Sequence, residues 1–196
     1  MKLIEIFNSK GYNTDKKCEQ HNYLEDYYEK AFSPYQNKNI NFLEIGILAG
    51  ESMKLWADYF TNPKNIVGID IFVRVSKQQV EWNLKEYGVK LHTINSHGRD
   101  GFHGEYPQSD NDKFEKFVET YGGFDIIIED GHHDVESQIK TYERFGKLVN
   151  SGGLYIVEDI TNESKNIERI MEGIPNIEIL KTTGTSNQIA TFGVVK

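Results

Sequence analysis

FDIIIEDGHHDVESQ (residues 124–138) and SGGLYIVEDI (residues 151–160) are the two stretches that decide the fold. Each is an apolar run that ends in acidic residues. A short apolar run closed by a turn signal reads as a strand buried on both faces of a parallel sheet. In open α/β sheets, ligands bind beyond the carboxyl ends of such strands. Asp130, His133, Glu158 and Asp159 are therefore expected to gather at one edge of a sheet.

The same alternation extends outward from these two runs. Strands are expected at 41–45, 65–70 and 89–95, besides 124–129 and 154–158. Helices are expected at 2–8, 22–32, 51–60, 76–87, 112–121 and 135–149, the last ended by Ser151-Gly-Gly. Residues 97–112, rich in Gly, Asp and His, read as an irregular surface loop. The tail IEILKTTGTSNQIATFGVV reads as two strands about Gly184-Thr-Ser-Asn, a hairpin. Strands alternating with helices over this length imply βαβ units and a parallel sheet with helices on both faces. The hairpin would add an antiparallel strand at one edge.

With 196 residues, the chain fits one domain with an ample core. Hydrophobic content of 38% with only four prolines excludes a disordered class. A net charge of −8 argues against nucleic-acid binding, which rests on basic residues neutralising phosphates. Cys18 is alone, so a reducing compartment is expected. The amino terminus turns polar after Phe7, too early for a secretory signal, and no apolar run reaches the roughly 20 residues of a membrane span. The expected location is the cytoplasm.

The segment NFLEIGILAGES (41–52) places Glu44-x-Gly46-x-x-x-Gly50 between a strand and a helix. Glycines there let a backbone approach a ligand and expose the amides of a helix start. Asp70 ends the next strand, where an acid can accept from ribose hydroxyls. The spacing is not G-x-G-x-x-G, which weighs against a nicotinamide cofactor. A lone G-x-x-x-G is a weak motif that close packing also produces; Glu44 before it and Asp70 after it strengthen the case for a nucleoside-bearing ligand.

E-x-G-x-x-x-G followed by I-V-G-I-D resembles the first two motifs of the class I S-adenosylmethionine-dependent methyltransferases. The resemblance implies an α/β, Rossmann-like fold: a mostly parallel seven-stranded sheet, helices on both faces and a carboxyl-terminal antiparallel hairpin. It also implies S-adenosyl-L-methionine as cofactor, with Gly46 and Gly50 against its methionine part and Asp70 on its ribose. The pattern FDIIIEDGHH…GGLYIVEDI narrows the likeness to the metal-dependent sugar O-methyltransferases of macrolide deoxysugars and glycans. That family implies Asp130, Glu158 and Asp159 as metal ligands and His133 as general base. The segment NTDKK…HNYLEDYYEKAF resembles the family's T-D-K…H-N-Y element, which packs over the cofactor. Thr14, Asp15, Lys16, His21 and Tyr23 carry that match, so residues 1–38 are expected to cover the cofactor site of a single domain spanning 1–196. Gln108 and Ser109, with Glu129, are assigned to the adenosine side, Asn95-Ser96 being the alternative. The inserted HGRDGFHGEY, with Arg99, Asp100 and His103, would shape an acceptor pocket or form a plain loop.

The chemistry agrees. Adjacent strands lie about 4.8 Å apart, and a cation with oxygen ligands at about 2.0–2.1 Å can bridge carboxylates across that gap. Carboxylates favour Mg²⁺, with Mn²⁺ as the other candidate. Glu158 and Asp159 would point to opposite faces of a regular strand, so both can bind one ion only if the chain bends there. A Lewis acid lowers an alcohol's pKa and a near-neutral histidine takes its proton. The expected reaction is methylation of a sugar hydroxyl on a carbohydrate or glycosylated small molecule, with a homo-oligomer left open.

Rival readings are a methyltransferase for a non-sugar molecule, a metal-dependent hydrolase using Asp130 and the histidines, and a nucleotide-binding module of a larger assembly. Asp130 or Asp134 equally suits a cap for the helix at Val135. His132 rivals His133 as base, and His21 and Tyr23 also suit ordinary helix-start positions. His92, His97 and His103 read as solvated or structural, Trp56 and Trp82 as core or interface, and Cys18 as lacking a catalytic partner.

Overall fold

A computed structural model describes residues 1–19, 21–97, 108–182 and 187–193. Its elements in chain order begin with α1 (Leu3–Lys10), a π-helical turn (Leu24–Tyr28) running into α2 (Glu29–Phe32), and β1 (Asn41–Ile45). α3 (Glu51–Tyr59), β2 (Asn65–Asp70), α4 (Lys77–Leu84), β3 (Lys90–Thr93) and α5 (Gln108–Tyr121) follow. The chain continues through β4 (Phe124–Glu129), α6 (Val135–Phe145), β5 (Val149–Thr161), α7 (Ser164–Gly173), β6 (Glu178–Lys181) and β7 (Asn187–Gly193). The strands are ordered β3-β2-β1-β4-β5-β7-β6. The first five are parallel, and β7 pairs antiparallel with both β5 and β6.

The apolar runs sort themselves by strand alternation. Phe42, Ile126, Ile128 and Ile156 join Leu3, Tyr28, Phe32, Trp56 and Leu84 in one core. Leu43, Ile45, Ile127, Tyr155 and Val157 face the other way, onto Phe114, Phe117, Phe145 and Ile170 of α5, α6 and α7. Two cores on one sheet explain why β1 and β4 lack polar alternation. Fully burying one such side chain contributes roughly 1.5–3 kcal/mol. A five-stranded parallel sheet with helices on both faces is the Rossmann-like methyltransferase architecture expected from the sequence.

Besides shifts of one to three residues at the ends of α1, α4 and β3, the expected elements are corrected as follows. The helix expected at 112–121 starts at Gln108, because Asp110 is buried and accepts from Arg144 of α6 at 2.9 Å. The helix expected at 135–149 stops at Phe145, so Ser151-Gly-Gly does not end it; β5 begins at Val149 and absorbs the glycines through a register shift opposite Phe124 and Ile126. The helix expected at 22–32 opens as the wider π turn. α7 goes beyond the expected elements; its sequence SKNIERIMEG carries an apolar stripe that buries Ile170 fully and packs Ile167 against the same core. Residues 98–107, which include Arg99, Asp100 and His103, lie outside the described residues, as do 183–186 of the expected tail turn.

Local chemistry sets the ends of the elements. Gly11, at φ +64°, stops α1 with its N–H on the Phe7 carbonyl at 3.0 Å. Ser76 caps α4 by accepting from Gln79 N–H. Asp134, not Asp130, caps α6 by accepting from Ser137 N–H at 3.0 Å. That frees Asp130 for other work.

Candidate active site at the switch point

Strand order reverses between β1 and β4, where open α/β sheets place their ligands. The two strands meet tightly there: Asp130 N–H donates to the Ile45 carbonyl at 2.8 Å. Gly46, next in the chain, has φ +84°, and a Cβ on it would collide with the Asp130 carbonyl. Gly50, at φ +83°, starts α3 with no room for a side chain beside Leu84. Both glycines are therefore required by the backbone itself.

Asp70 braces this turn. Its Oδ2 accepts from Ile47 N–H at 3.1 Å and Leu48 N–H at 3.2 Å, and its Oδ1 from Phe72 N–H at 2.7 Å. Leu48 and Phe72 are both non-glycine residues at positive φ, and the carboxylate holds them there. A carboxylate offers about four lone-pair sites, so room for one ribose hydroxyl remains. The turn-bracing role was missed in the sequence, although an acid facing a glycine turn from the next strand is its signal.

Asp130, His133 and Asp159 bring ligand atoms within 4.8 Å of one another. His133 Nδ1 lies 3.8 Å from Asp130 Oδ1 and 3.7 Å from Asp159 Oδ2. His133 and Asp159 both adopt left-handed backbone, at φ +60° and +57°. Such strain in non-glycine residues clusters at functional sites. Asp159 also sits where the β5–β7 register shifts, between Val157 and Ile160. The expected bend was to bring Glu158 and Asp159 to one ion together; here it turns Asp159 alone into the group. Burial lowers the His133 pKa, with Asp159 opposing, so the imidazole favours its neutral form.

Glu158 turns elsewhere. It is fully enclosed; Tyr28 donates to its Oε1 and Lys16 to its Oε2, the latter at 2.9 Å. Lys16, with no exposed surface, also pairs with Asp130 Oδ2 and lies 3.2 Å from Glu44 Oε1. Burial alone would lower its pKa, but the charges of Asp130, Glu158 and Glu44 outweigh that and hold it well above the usual lysine range. Burial pushes Asp130 up and Glu158 up to about 8, with Lys16 opposing in both. Lys16 was assigned to the cofactor; the structure makes it the internal counter-ion of three acids. Glu44, likewise assigned to the cofactor, accepts from Trp56 Nε1 at 2.6 Å and is wholly buried.

Glu129 ends β4 with no exposed surface. Its Oε1 accepts from Gly131 N–H at 3.2 Å, while Oε2 has no hydrogen-bond partner among the described residues. Burial raises its pKa to about 8. His132 pairs through Nδ1 with Asp134 Oδ2 at 2.7 Å, and its ring lies 5.5 Å from that of His97.

The amino-terminal segment reaches the site from above. Lys17 and Asn22 form an antiparallel bridge, and Cys18 N–H donates to the His21 carbonyl at 2.9 Å. Thr14 Oγ1 accepts from Lys16 N–H at 3.4 Å. The rings of His21 and Tyr23 stack at 4.0 Å, and Tyr23 donates its hydroxyl to Asp159 Oδ1 at 2.6 Å. Ser109 is exposed at the start of α5, and nothing described links it to this group; of Gln108 the backbone alone is described. Asn95 is buried, its N–H on Asp110 and its carbonyl on Arg144 at 2.7 Å, a brace the sequence did not suggest. Trp56 is core, whereas Trp82 is 66% exposed under the Lys85 ammonium, so of its two expected placements the core is ruled out.

Fold and switch-point site define a class I methyltransferase architecture. The solved MycE methyltransferase of the mycinamycin pathway, in complex with Mg and SAH, superposes with a TM-score of 0.73 at 20% identity, covering all of this chain and 54% of that one. In sequence, the chain is 28% identical over 142 residues to the mycinamicin VI 2''-O-methyltransferase of Micromonospora griseorubida. It is 28% identical over 141 residues to the demethylmacrocin O-methyltransferase of Streptomyces fradiae. Each match covers 68% of this chain but 30% and 31% of the relatives, so the chain matches under a third of their length. No protein-family model matches. The chain thus resembles the sugar O-methyltransferases in sequence and shares their catalytic fold.

Proposed function

We propose that the chain is the catalytic domain of an S-adenosylmethionine-dependent, divalent-metal-assisted O-methyltransferase acting on a sugar hydroxyl of a carbohydrate or glycosylated small molecule. One observation carries this reading: the Gly46 turn and the Asp130–His133–Asp159 group share a backbone contact at the switch point. A methyl donor on the turn would lie beside a cation and a base.

The residues fit both absent groups. Two carboxylates and an imidazole within 4.8 Å suit a hard divalent ion such as Mg²⁺ or Mn²⁺. Asp130 and Asp159 would hold it, and Glu158 would join them by giving up Lys16 or Tyr28. When bound, the ion supplies Lewis acidity that makes an alcohol easier to deprotonate. The side-chain-free Gly46 and Gly50, the remaining acceptor capacity of Asp70 and the unpartnered Glu129 Oε2 suit the cofactor's methionine and adenosine parts. Thr14, His21 and Tyr23, with the rest of residues 1–38, would cover it, and Gln108 and Ser109 would meet its adenosine side.

In this mechanism His133 accepts the proton of the sugar hydroxyl. Its neutral imidazole is suited to that at pH 7, with Asp159 stabilising the imidazolium that forms. Tight alignment of hydroxyl and methyl group can contribute roughly 7–11 kcal/mol. β6 and β7 are read as the carboxyl-terminal antiparallel hairpin of a seven-stranded methyltransferase sheet, supported by their register from Glu178 opposite Thr191 to Lys181 opposite Gln188. The acidic charge favours a small-molecule over a nucleic-acid partner. No helix among the described residues is long and apolar enough to cross a membrane, and we place the enzyme in the cytoplasm.

The test is methyl transfer from radiolabelled S-adenosylmethionine to glycosylated macrolides and to simple glycosides, with and without chelator. Metal-dependent labelling of a sugar supports the reading. Absence of S-adenosylhomocysteine binding in calorimetry, or turnover indifferent to chelation, overturns it.

A further inference from the structure

We infer that Arg144 is a positioning residue for the cofactor: its buried guanidinium joins the Asn95–His97 turn to the start of α5, and the wall so formed fixes the adenosine side of the crevice. The inference rests on the cofactor reading above and deepens it. The sequence offers Asn95-Ser96 and the start of α5 as alternatives for that side, and one side chain of a third element holds both.

The turn lies on the ligand edge of the sheet. Thr93 is level with Asp70 in the β2–β3 register, so the chain beyond it leaves at the carboxyl ends of the strands. It then crosses towards β4. A Cβ on Gly131 would sit 3.9 Å from Ser96 Oγ and 2.9 Å from Glu129 Oε1, and the His97 ring lies 5.5 Å from that of His132. In the order β3-β2-β1-β4, such a crossing spans the ends of β2 and β1, where Asp70 and the Gly46 turn stand. Asn95, Ser96 and His97 are all buried, so the turn is packed into that side of the crevice.

Arg144 reaches this turn from α6. Its Nη1 donates to the Asn95 carbonyl at 2.7 Å and to Asp110 Oδ2 at 2.9 Å, and its Nη2 to the Asp110 carbonyl at 3.3 Å. Asp110 completes the ring by accepting from Asn95 N–H on Oδ1 at 3.1 Å. The guanidinium lies over the Phe114 ring, its Cζ 4.4 Å from the centroid. Neutralising Asp110 needs only a positive charge. Bridging it to a backbone carbonyl of a second segment needs a rigid, planar fork of donors, which a guanidinium has and an ammonium lacks. No member of this ring belongs to the Asp130–His133–Asp159 group, so its contribution falls on the cofactor side.

Two variants separate charge from bridging. Arg144→Met removes both, whereas Arg144→Lys keeps a charge for Asp110 without the fork. Arg144→Lys should recover most of the melting temperature lost in Arg144→Met. At a temperature where it is folded, calorimetry should still show it binding S-adenosylhomocysteine about tenfold more weakly than wild type, the equivalent of one hydrogen bond at a charged group. Wild-type affinity in Arg144→Lys would mean that the guanidinium merely neutralises Asp110, and would overturn the positioning role. If neither variant folds, hydrogen exchange of the wild-type chain decides. S-adenosylhomocysteine should slow residues 95–97 and 110–112 together, and protection of one segment without the other would overturn the shared wall. A wild-type chain that binds no S-adenosylhomocysteine would overturn the cofactor reading itself, and the positioning role with it.

Discussion

The carbonyl of Asp130 occupies the space into which a side chain on Gly46 would grow. The cofactor turn and the acid cluster are therefore joined through backbone, and neither can shift alone. Gly46→Ala places a Cβ against that carbonyl and forces an L-residue to φ +84°. Strain of this kind costs on the order of 1–3 kcal/mol before any displacement. The variant should melt lower and lose both S-adenosylhomocysteine binding and turnover. Wild-type binding by Gly46→Ala in calorimetry would show that the turn is not the cofactor platform.

Asp70 should act first on the turn and then on the ribose. Asp70→Ala strips acceptors from the N–H groups of Ile47, Leu48 and Phe72. Each lost bond contributes about 0.5–1.5 kcal/mol, more at a charged acceptor. A lower melting temperature of the apo chain is expected together with weaker S-adenosylhomocysteine binding. A pure ribose ligand would weaken binding and leave apo stability untouched, which differential scanning calorimetry distinguishes.

His133 and His132 are adjacent in sequence but differently engaged. His133 faces Asp130 and Asp159, whereas His132 is tied to the cap residue Asp134. His133→Ala should lower kcat about 10²–10⁴-fold with S-adenosylhomocysteine affinity retained. His132→Ala should have the smaller effect. Because burial lowers the His133 pKa, the base is neutral at pH 7 and activity should fall on the acid side, below the pKa of about 6.5 of a free histidine. A larger loss from His132→Ala would transfer the base role to that residue.

Much of this was legible in the sequence. Short, largely apolar runs such as FLEI and DIIIE are read as two-sided strands because they lack polar alternation and are bounded by turn signals. The acids at their ends are placed by topology, but the expected bend brings Asp159 alone into the group and leaves Glu158 on Lys16 and Tyr28. Other features depend on partners remote in sequence. Nothing near Lys16 marks it as buried, since its three carboxylates lie 28, 114 and 142 positions away. A sum over enclosed charge would have hinted at it: acids at the ends of three neighbouring strands require a cation. Arg144 and Asp110 are equally silent, because Arg144 reads locally as an ordinary charge on an amphipathic helix and Asp110 as part of the irregular loop 97–112.

Lys16→Met tests whether that single cation neutralises the cluster. Removing one partner of a buried ion pair typically costs 3–5 kcal/mol, because the remaining charge is left uncompensated. The sign of the pH dependence follows from the acids. Burial raises Glu158 from 4.5 to about 8, with Lys16 opposing; without the ammonium it rises further. An acid raised on folding favours the folded state fully below its unfolded pKa, and that contribution is lost as pH rises through the folded value. The deficit of Lys16→Met should therefore be small near pH 5, where Glu158 and Asp130 can be protonated in the fold. It should grow towards pH 8.5, where the wild-type chain keeps its ammonium beside ionised carboxylates. Urea midpoints of both chains at the two pH values measure this. A deficit that does not change with pH would mean that Lys16 contributes by filling space, and that its charge is not what holds the three acids together.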